Sequence, residues 1–158
     1  MNAAIVCVGK MKEKYWRDAA AEYEKRLSRF LRLETIELPD LPEPVNSSPA
    51  IEAQISQKEG EAILAKLRPD DIVVALCIEG KQLDSVSLSA QLARYADTGR
   101  RVAFVIGGSL GLSPEVVARA NMKLSFSPMT FPHQLARVML LEQVYRACKI
   151  NAGERYHK

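Results

Sequence analysis

Apolar residues along the chain follow two periods that alternate. Ala4 to Val8 is a short, partly β-branched apolar run and reads as a first strand. From Met11 to Arg32 the residues Trp16, Ala19, Ala20, Tyr23, Leu27, Phe30 and Leu31 recur at three and four, which predicts an amphipathic helix. Leu33 to Leu38 alternates and predicts a second strand. Pro39 to Pro49 carries four prolines among small polar residues and predicts a mobile loop. Ser48-Pro49 then makes a cap and first-turn pair for a helix through Ile51, Ile55, Ile63 and Leu64 to about Leu67. Asp71 to Ile78 is nearly continuous in apolar residues, as a strand buried on both faces must be, and is expected to end in Glu79-Gly80-Lys81.

A helix with Leu88, Leu92, Tyr95 and Ala96 on one side follows and closes at Thr98-Gly99. The remaining elements are a strand from Arg101 to Ile106, a short helix opened by Ser113-Pro114, a strand from Met122 to Phe126, and a long helix from Pro132 to about Ile150. Strands and helices alternate throughout. That order predicts an α/β fold, one domain over residues 1–158, with a mostly parallel sheet and helices on both faces. Residues 151–158 form a polar tail containing an aromatic residue and a histidine.

Composition narrows the class. An apolar content of 47% in 158 residues is enough for one real core. No apolar stretch is long enough to span a bilayer. The first residues lack a basic segment ahead of their apolar run, which points to a strand rather than a secretion signal. Cys7, Cys77 and Cys148 are odd in number, far apart and set in apolar runs, so buried reduced thiols and a cytoplasmic location are expected. A net charge of +3 is compatible with a nucleic-acid partner without requiring one. Arg137, Arg146, Lys149, Arg155 and Lys158 gather toward the C-terminus, as a solvated helix face or as a phosphate-binding patch.

Several chemistries are missing. No phosphate-binding G-x-x-x-x-G-K-[ST] occurs, and Gly108-Ser109-Leu110-Gly111 lacks the spacing of a dinucleotide fingerprint. There is no nucleophile elbow and no zinc spacing, and His133 and His157 are the only histidines, so no metal site is expected. What remains are three loops at strand ends: Leu76 to Lys81, Ile106 to Gly111, and Ser127 to Pro132. Each can present main-chain N–H and C=O groups of the kind an adenine edge needs. Gly107, Gly108 and Gly111 allow a ligand to approach the backbone, or serve turns alone.

Three stretches carry a resemblance. They are Val8-Gly9-Lys10 with the Trp16 helix, Phe104-Val105-Ile106-Gly107-Gly108-Ser109-Leu110-Gly111-Leu112, and Leu124-Ser125-Phe126-Ser127-Pro128-Met129-Thr130-Phe131-Pro132-His133. Glu142-Gln143-Val144-Tyr145-Arg146-Ala147 and the terminal Tyr156-His157 extend it over essentially the whole chain. The chain resembles the SPOUT class of S-adenosylmethionine-dependent RNA methyltransferases, and more narrowly the ribosomal RNA large subunit methyltransferase H family. The resemblance implies a homodimer whose C-terminal part is threaded into a trefoil knot, a feature no sequence pattern shows. It implies S-adenosylmethionine contacts at Leu76, Gly108, Ser127, Pro128, Met129, Thr130, Phe131 and Pro132. The implied reaction is methylation of N3 of a pseudouridine in 23S (large-subunit) ribosomal RNA, with the assembled ribosome as substrate.

On that basis His157 is the candidate base, because histidine titrates near neutral pH. Tyr156 is placed to stack on or hydrogen-bond the target base. His133 lies beside the cofactor loop, where it caps the final helix, bonds a loop carbonyl or takes part in catalysis. Arg137 and Arg146 grip RNA phosphates, or else pair with Glu142 or Glu154. The short tail suggests a composite site in which one protomer's tail meets the other's cofactor. Two alternatives stay open: a methyltransferase of the same class acting on transfer RNA, and a ribosome-binding protein without chemistry.

Overall fold

The computed structural model describes residues 1–158. Its elements, in chain order, are β1 (Asn2–Val8), α1 (Lys14–Leu27), β2 (Arg32–Leu38), α2 (Pro49–Leu64) and β3 (Ile72–Gln82). α3 (Ser85–Asp97), β4 (Val102–Ile106), α4 (Pro114–Arg119), β5 (Met122–Ser125) and α5 (His133–Asn151) complete the chain. The strands form one sheet in the order β2-β1-β4-β3-β5, and every neighbouring pair is parallel. Parallel strands need helical crossovers, and the strictly alternating sequence supplies one between each pair.

Side-chain alternation along the central strands sorts the core into two layers. Ala3, Ile5, Cys7, Ile72, Val74, Val102, Phe104 and Ile106 face α1, α3 and α5, meeting Leu27, Leu88, Leu92, Leu140, Leu141 and Val144. Val6, Val8, Val73 and Val105 face the other way, toward Ile63 of α2 and Val116 of α4. Three helix starts follow from their caps. Ser48 Oγ accepts from the Ile51 N–H, the Asp84 carboxylate from the Ser87 N–H, and Ser113 Oγ from the Val116 N–H.

Three expectations change. α1 is shorter at both ends than the apolar spacing suggests. Gly9 makes a turn at φ +91° before it, and Phe30 and Leu31 pack on the core from a turn rather than from a helix. β3 does not end at Ile78. Leu76 and Lys81 both register against Leu124, so residues 77–80 bulge out and the strand resumes. Gly80 permits this: a Cβ there would lie 2.6 Å from the Leu124 carbonyl carbon. The proline-rich loop carries side-chain contacts. The Ser109 hydroxyl donates to Glu43 at 3.4 Å, and Ser47 bonds both Glu43 and Glu52. Of the cysteines only Cys7 is fully buried, which pushes its thiol up to about 11. Cys77 and Cys148 are partly buried.

Candidate active site

All strands point their carboxyl ends the same way, so the β3 bulge and the loops after β4 and β5 converge at one edge. There they enclose a cavity of about 790 Å³, within the range of small-ligand sites. Leu76, Gly108, Ser127, Met129, Thr130, Phe131 and Pro132 all line it, and Pro128 does not. The lining also includes residues beyond the contacts that the resemblance implied. Cys77, Ile78 and Glu79 come from the β3 bulge, Leu112 and Val117 from the approach to and body of α4, and Ala136 from α5. The bulge residues fall inside the Leu76 to Lys81 loop that the sequence singled out. Val117 and Ala136 carry no local signal, because only the crossing of elements brings them there.

The glycine loop is a tight turn. Gly111 N–H donates to the Gly108 carbonyl at 3.0 Å, and Gly111 holds φ +76°. A Cβ on Gly107 would stand 2.6 Å from the Gly111 carbonyl oxygen, a distance that requires the backbone to move. Gly108 presses its Cα toward Val8 and Glu59, outside the cavity, so it turns main chain rather than side chain to the ligand space. In the third loop the Met129 N–H is already bonded to Ser127 Oγ at 3.0 Å, and the Ser127 carbonyl to Ser125 Oγ at 3.1 Å.

The cavity's charge pattern is distinctive. No lysine or arginine lines it, Glu79 is its one carboxylate, and His133 its one imidazole. A phosphate ligand would meet no cation here. An uncharged or cationic nucleoside is accommodated by the apolar walls of Leu76, Ile106, Leu112, Leu124, Phe126 and Phe131 and by exposed main chain. A sulfonium nucleoside such as S-adenosylmethionine therefore fits the residues present. His133 is the first residue of α5, whose cap position is Pro132. It makes no capping bond. It stands against Gly9 instead, its Nε2 lying 3.1 Å from where a Cβ of that glycine would be.

The tail residues assemble elsewhere. Glu142 accepts from Arg146 Nη2 at 2.8 Å and from the Tyr156 hydroxyl at 3.1 Å, and Gln143 bonds its other oxygen. The Arg146 guanidinium lies 4.6 Å from the Tyr156 ring centroid, and Tyr145 meets that ring edge-on at 5.0 Å. Burial, then the Glu142 bond and charge, raise the Tyr156 phenol above its ordinary value. Arg146 Nη1 is 3.4 Å from His157 Nδ1. A guanidinium only donates, so that contact makes Nδ1 the acceptor and leaves the ring proton of a neutral His157 on Nε2. Arg146 thus pairs with Glu142 inside the chain. Arg137 is not exposed for phosphate: it is buried, with Nη1 donating to Glu37 at 2.9 Å.

None of Glu142, Arg146, Tyr156 and His157 lines the cavity. Along α5, Arg146 stands roughly 20 Å from His133 at the helical rise per residue. A parallel α/β sheet with a cavity at its carboxyl edge and a polar cluster on its last helix defines a class of α/β proteins with a ligand-sized site at the strand ends rather than a particular activity. Comparison with known proteins narrows it. Residues 1–157 match the family described as "Predicted SPOUT methyltransferase". The chain belongs to the SPOUT methyltransferase family. It is 60% identical to the ribosomal RNA large subunit methyltransferase H of Bifidobacterium animalis subsp. lactis, over the full length of both chains. The protein of the same name from Bacillus cereus is 55% identical, again over both full lengths.

Among solved structures, a probable methylase family protein from Haemophilus influenzae shares the fold at a TM-score of 0.55 and 16% identity, covering 99% of this chain and 70% of that one. A putative methylase family protein from Neisseria gonorrhoeae does so at 0.51 and 15%, covering 91% and 81%. Membership in the SPOUT class implies the trefoil knot at the C-terminal loops.

Proposed function

We propose that the chain transfers a methyl group from S-adenosylmethionine to N3 of a pseudouridine in large-subunit ribosomal RNA, on the assembled ribosome and as a homodimer. The observation that carries the donor is the cavity without a cation, its walls apolar and its one anion Glu79. The ribosomal RNA target rests on the names of the full-length relatives. The cytoplasm is the compartment where that substrate occurs, and no helix is long and apolar enough to cross a membrane.

S-adenosylmethionine, when bound, supplies an electrophilic methyl on a cationic sulfur. Leu76, Gly108, Ser127 and Met129 to Pro132 would hold the donor and exclude water from it, and positioning would account for much of the acceleration. Tyr156 and His157 address the target base. The Arg146 contact favours His157 as a donor, through Nε2, to the ring oxygen that gains charge as the N3 proton passes to solvent.

The separation along α5 supports the dimer. None of the tail residues lines its own chain's cavity, and a second copy is what would bring a tail to it. Labelled S-adenosylmethionine offered to assembled ribosomes, isolated large subunits and naked ribosomal RNA tests the substrate. N3-methylpseudouridine formed mainly on assembled ribosomes is expected; label on transfer RNA moves the target, and no transfer with no donor binding removes the enzyme. A heterodimer of one tail-deleted and one cavity-dead chain tests the shared site, and complete inactivity there refutes it.

A further inference from the structure

The basic residues near the C-terminus are largely neutralised inside the chain. Arg137 pairs with Glu37, Arg146 with Glu142, and Lys149 with Glu154. A different basic segment remains open at the cavity edge: the turn from β1 into α1, residues 10–17. Lys10, Lys12, Lys14 and Arg17 are all exposed there. Lys14 meets Asp18 at 2.9 Å in a fully solvated pair, and no ion pair involves Lys10 or Lys12. Arg17 donates to the carbonyls of Met11, at 3.1 Å, and Lys12. The turn is therefore held in one shape with its lysines pointing away. Against these cations stand Glu13 and Asp18, which leave the segment net positive.

The same turn carries Tyr15, 65% exposed, its ring braced edge-on by Trp16 at 5.1 Å between centroids. An exposed aromatic ring among unpaired lysines suits a single-stranded nucleic acid: the cations meet phosphates, and the ring offers a face to an unstacked base. The location is apt. Lys10 and Met11 line a small cleft with His133 and Gln134, and His133 also lines the ligand cavity.

We infer that the β1–α1 turn is an RNA-docking element, with Lys10 and Lys12 on phosphates and Tyr15 stacked on an unpaired base beside the nucleotide presented to the cavity. This rests on the methyltransferase reading for the identity of the RNA. The site it adds is separate from the donor loops and from the tail.

The test compares wild type, Tyr15→Ala and the double variant Lys10→Ala/Lys12→Ala. It measures S-adenosylmethionine affinity, direct binding to assembled ribosomes across a salt series, methyl transfer, thermal melting and oligomeric state. Tyr15→Ala is expected to weaken ribosome binding about tenfold. The double variant should lower the salt-dependence slope by about 1.4. Donor affinity, melting and oligomeric state should stay at wild-type values.

Unchanged ribosome binding and slope in both variants overturns the docking element while leaving the methyltransferase reading intact. Dissociation into monomers overturns it too, by making the turn a contact between copies. Wild-type protein that binds ribosomes without transferring methyl removes the enzyme reading, and weakened binding by the variants still supports the docking element. Wild-type protein that does not bind ribosomes removes both.

Discussion

The two edges of one sheet are built on opposite principles. At the amino edge every buried polar group is matched. Arg101, nearly inaccessible, donates to both oxygens of the fully buried Asp71 at 2.9 and 2.6 Å, to Glu34 at 3.0 Å and to the Lys66 carbonyl. Burial alone would raise the Asp71 carboxyl, but the Arg101 bonds and the Arg68 N–H overcome it and hold the carboxyl below its ordinary value. At the carboxyl edge polar groups are left open. The two buried side-chain atoms without a partner, Glu59 Oε2 and Arg137 Nε, both belong to that half of the molecule. Glu59 backs Gly108, and Arg137 lies one turn along α5 from His133. The contrast teaches where stability and function sit. A matched network rigidifies the amino end, and the end that carries the cavity loops keeps unpaired groups and main chain.

Breaking the amino edge gives the largest effect. Arg101→Leu strands the Asp71 carboxylate and is expected to cost about 3–5 kcal/mol in chemical denaturation, with donor affinity per folded molecule unchanged. The wild-type pair also sets a pH response. A carboxyl held below its unfolded value contributes stability above that value and loses it as the pH falls through the folded one. Acid denaturation should therefore be steeper in wild type than in Arg101→Leu, and equal slopes would argue against the pair.

Gly107→Ala probes the other edge. Its Cβ meets the Gly111 carbonyl, so calorimetric donor affinity should fall on the order of a hundredfold, as displacement by about 1 Å can do. Melting should change far less. A variant that binds normally would show that the glycine loop is only a turn.

Glu59→Gln sharpens the contrast from the opposite side. Burial, with Asp40 and Glu43 nearby, raises the Glu59 carboxyl above its ordinary value. Such a group favours folding below its unfolded value and loses that advantage as pH rises through the folded one. The amide removes the penalty, and stability at neutral pH should rise by about 1 kcal/mol, fading under acid. The smallest effect belongs to Tyr156→Phe. It removes one bond to Glu142 and should lower stability by about 1 kcal/mol or less, with the tail still packed on Tyr145 and methyl transfer reduced more than donor binding.

Legibility followed the same division. The strands and helices were readable because each element buries a contiguous set of neighbours, and alternation or helical spacing records that burial directly. β3 misled at Glu79-Gly80-Lys81, where polar residues and a glycine look like an ending. The strand resumes because Gly80 fits against Leu124, a contact from 44 residues away in sequence. The cavity loops were visible as small-residue runs after apolar strands. Val117 and Ala136 were not, since nothing in their own neighbourhood marks a wall.

The sequence by itself determined the α/β class, the order of elements and the position of the three loops, because local burial periods and caps are properties of adjacent residues. Tertiary structure alone decided the fate of the charges. Arg137 and Arg146 look alike in sequence, yet one is buried against Glu37 and the other braces the tail on Glu142, while Lys10 and Lys12 stay free. A charge acts through what stands within a few ångströms of it, and those neighbours come from distant elements that only the folded sheet brings together.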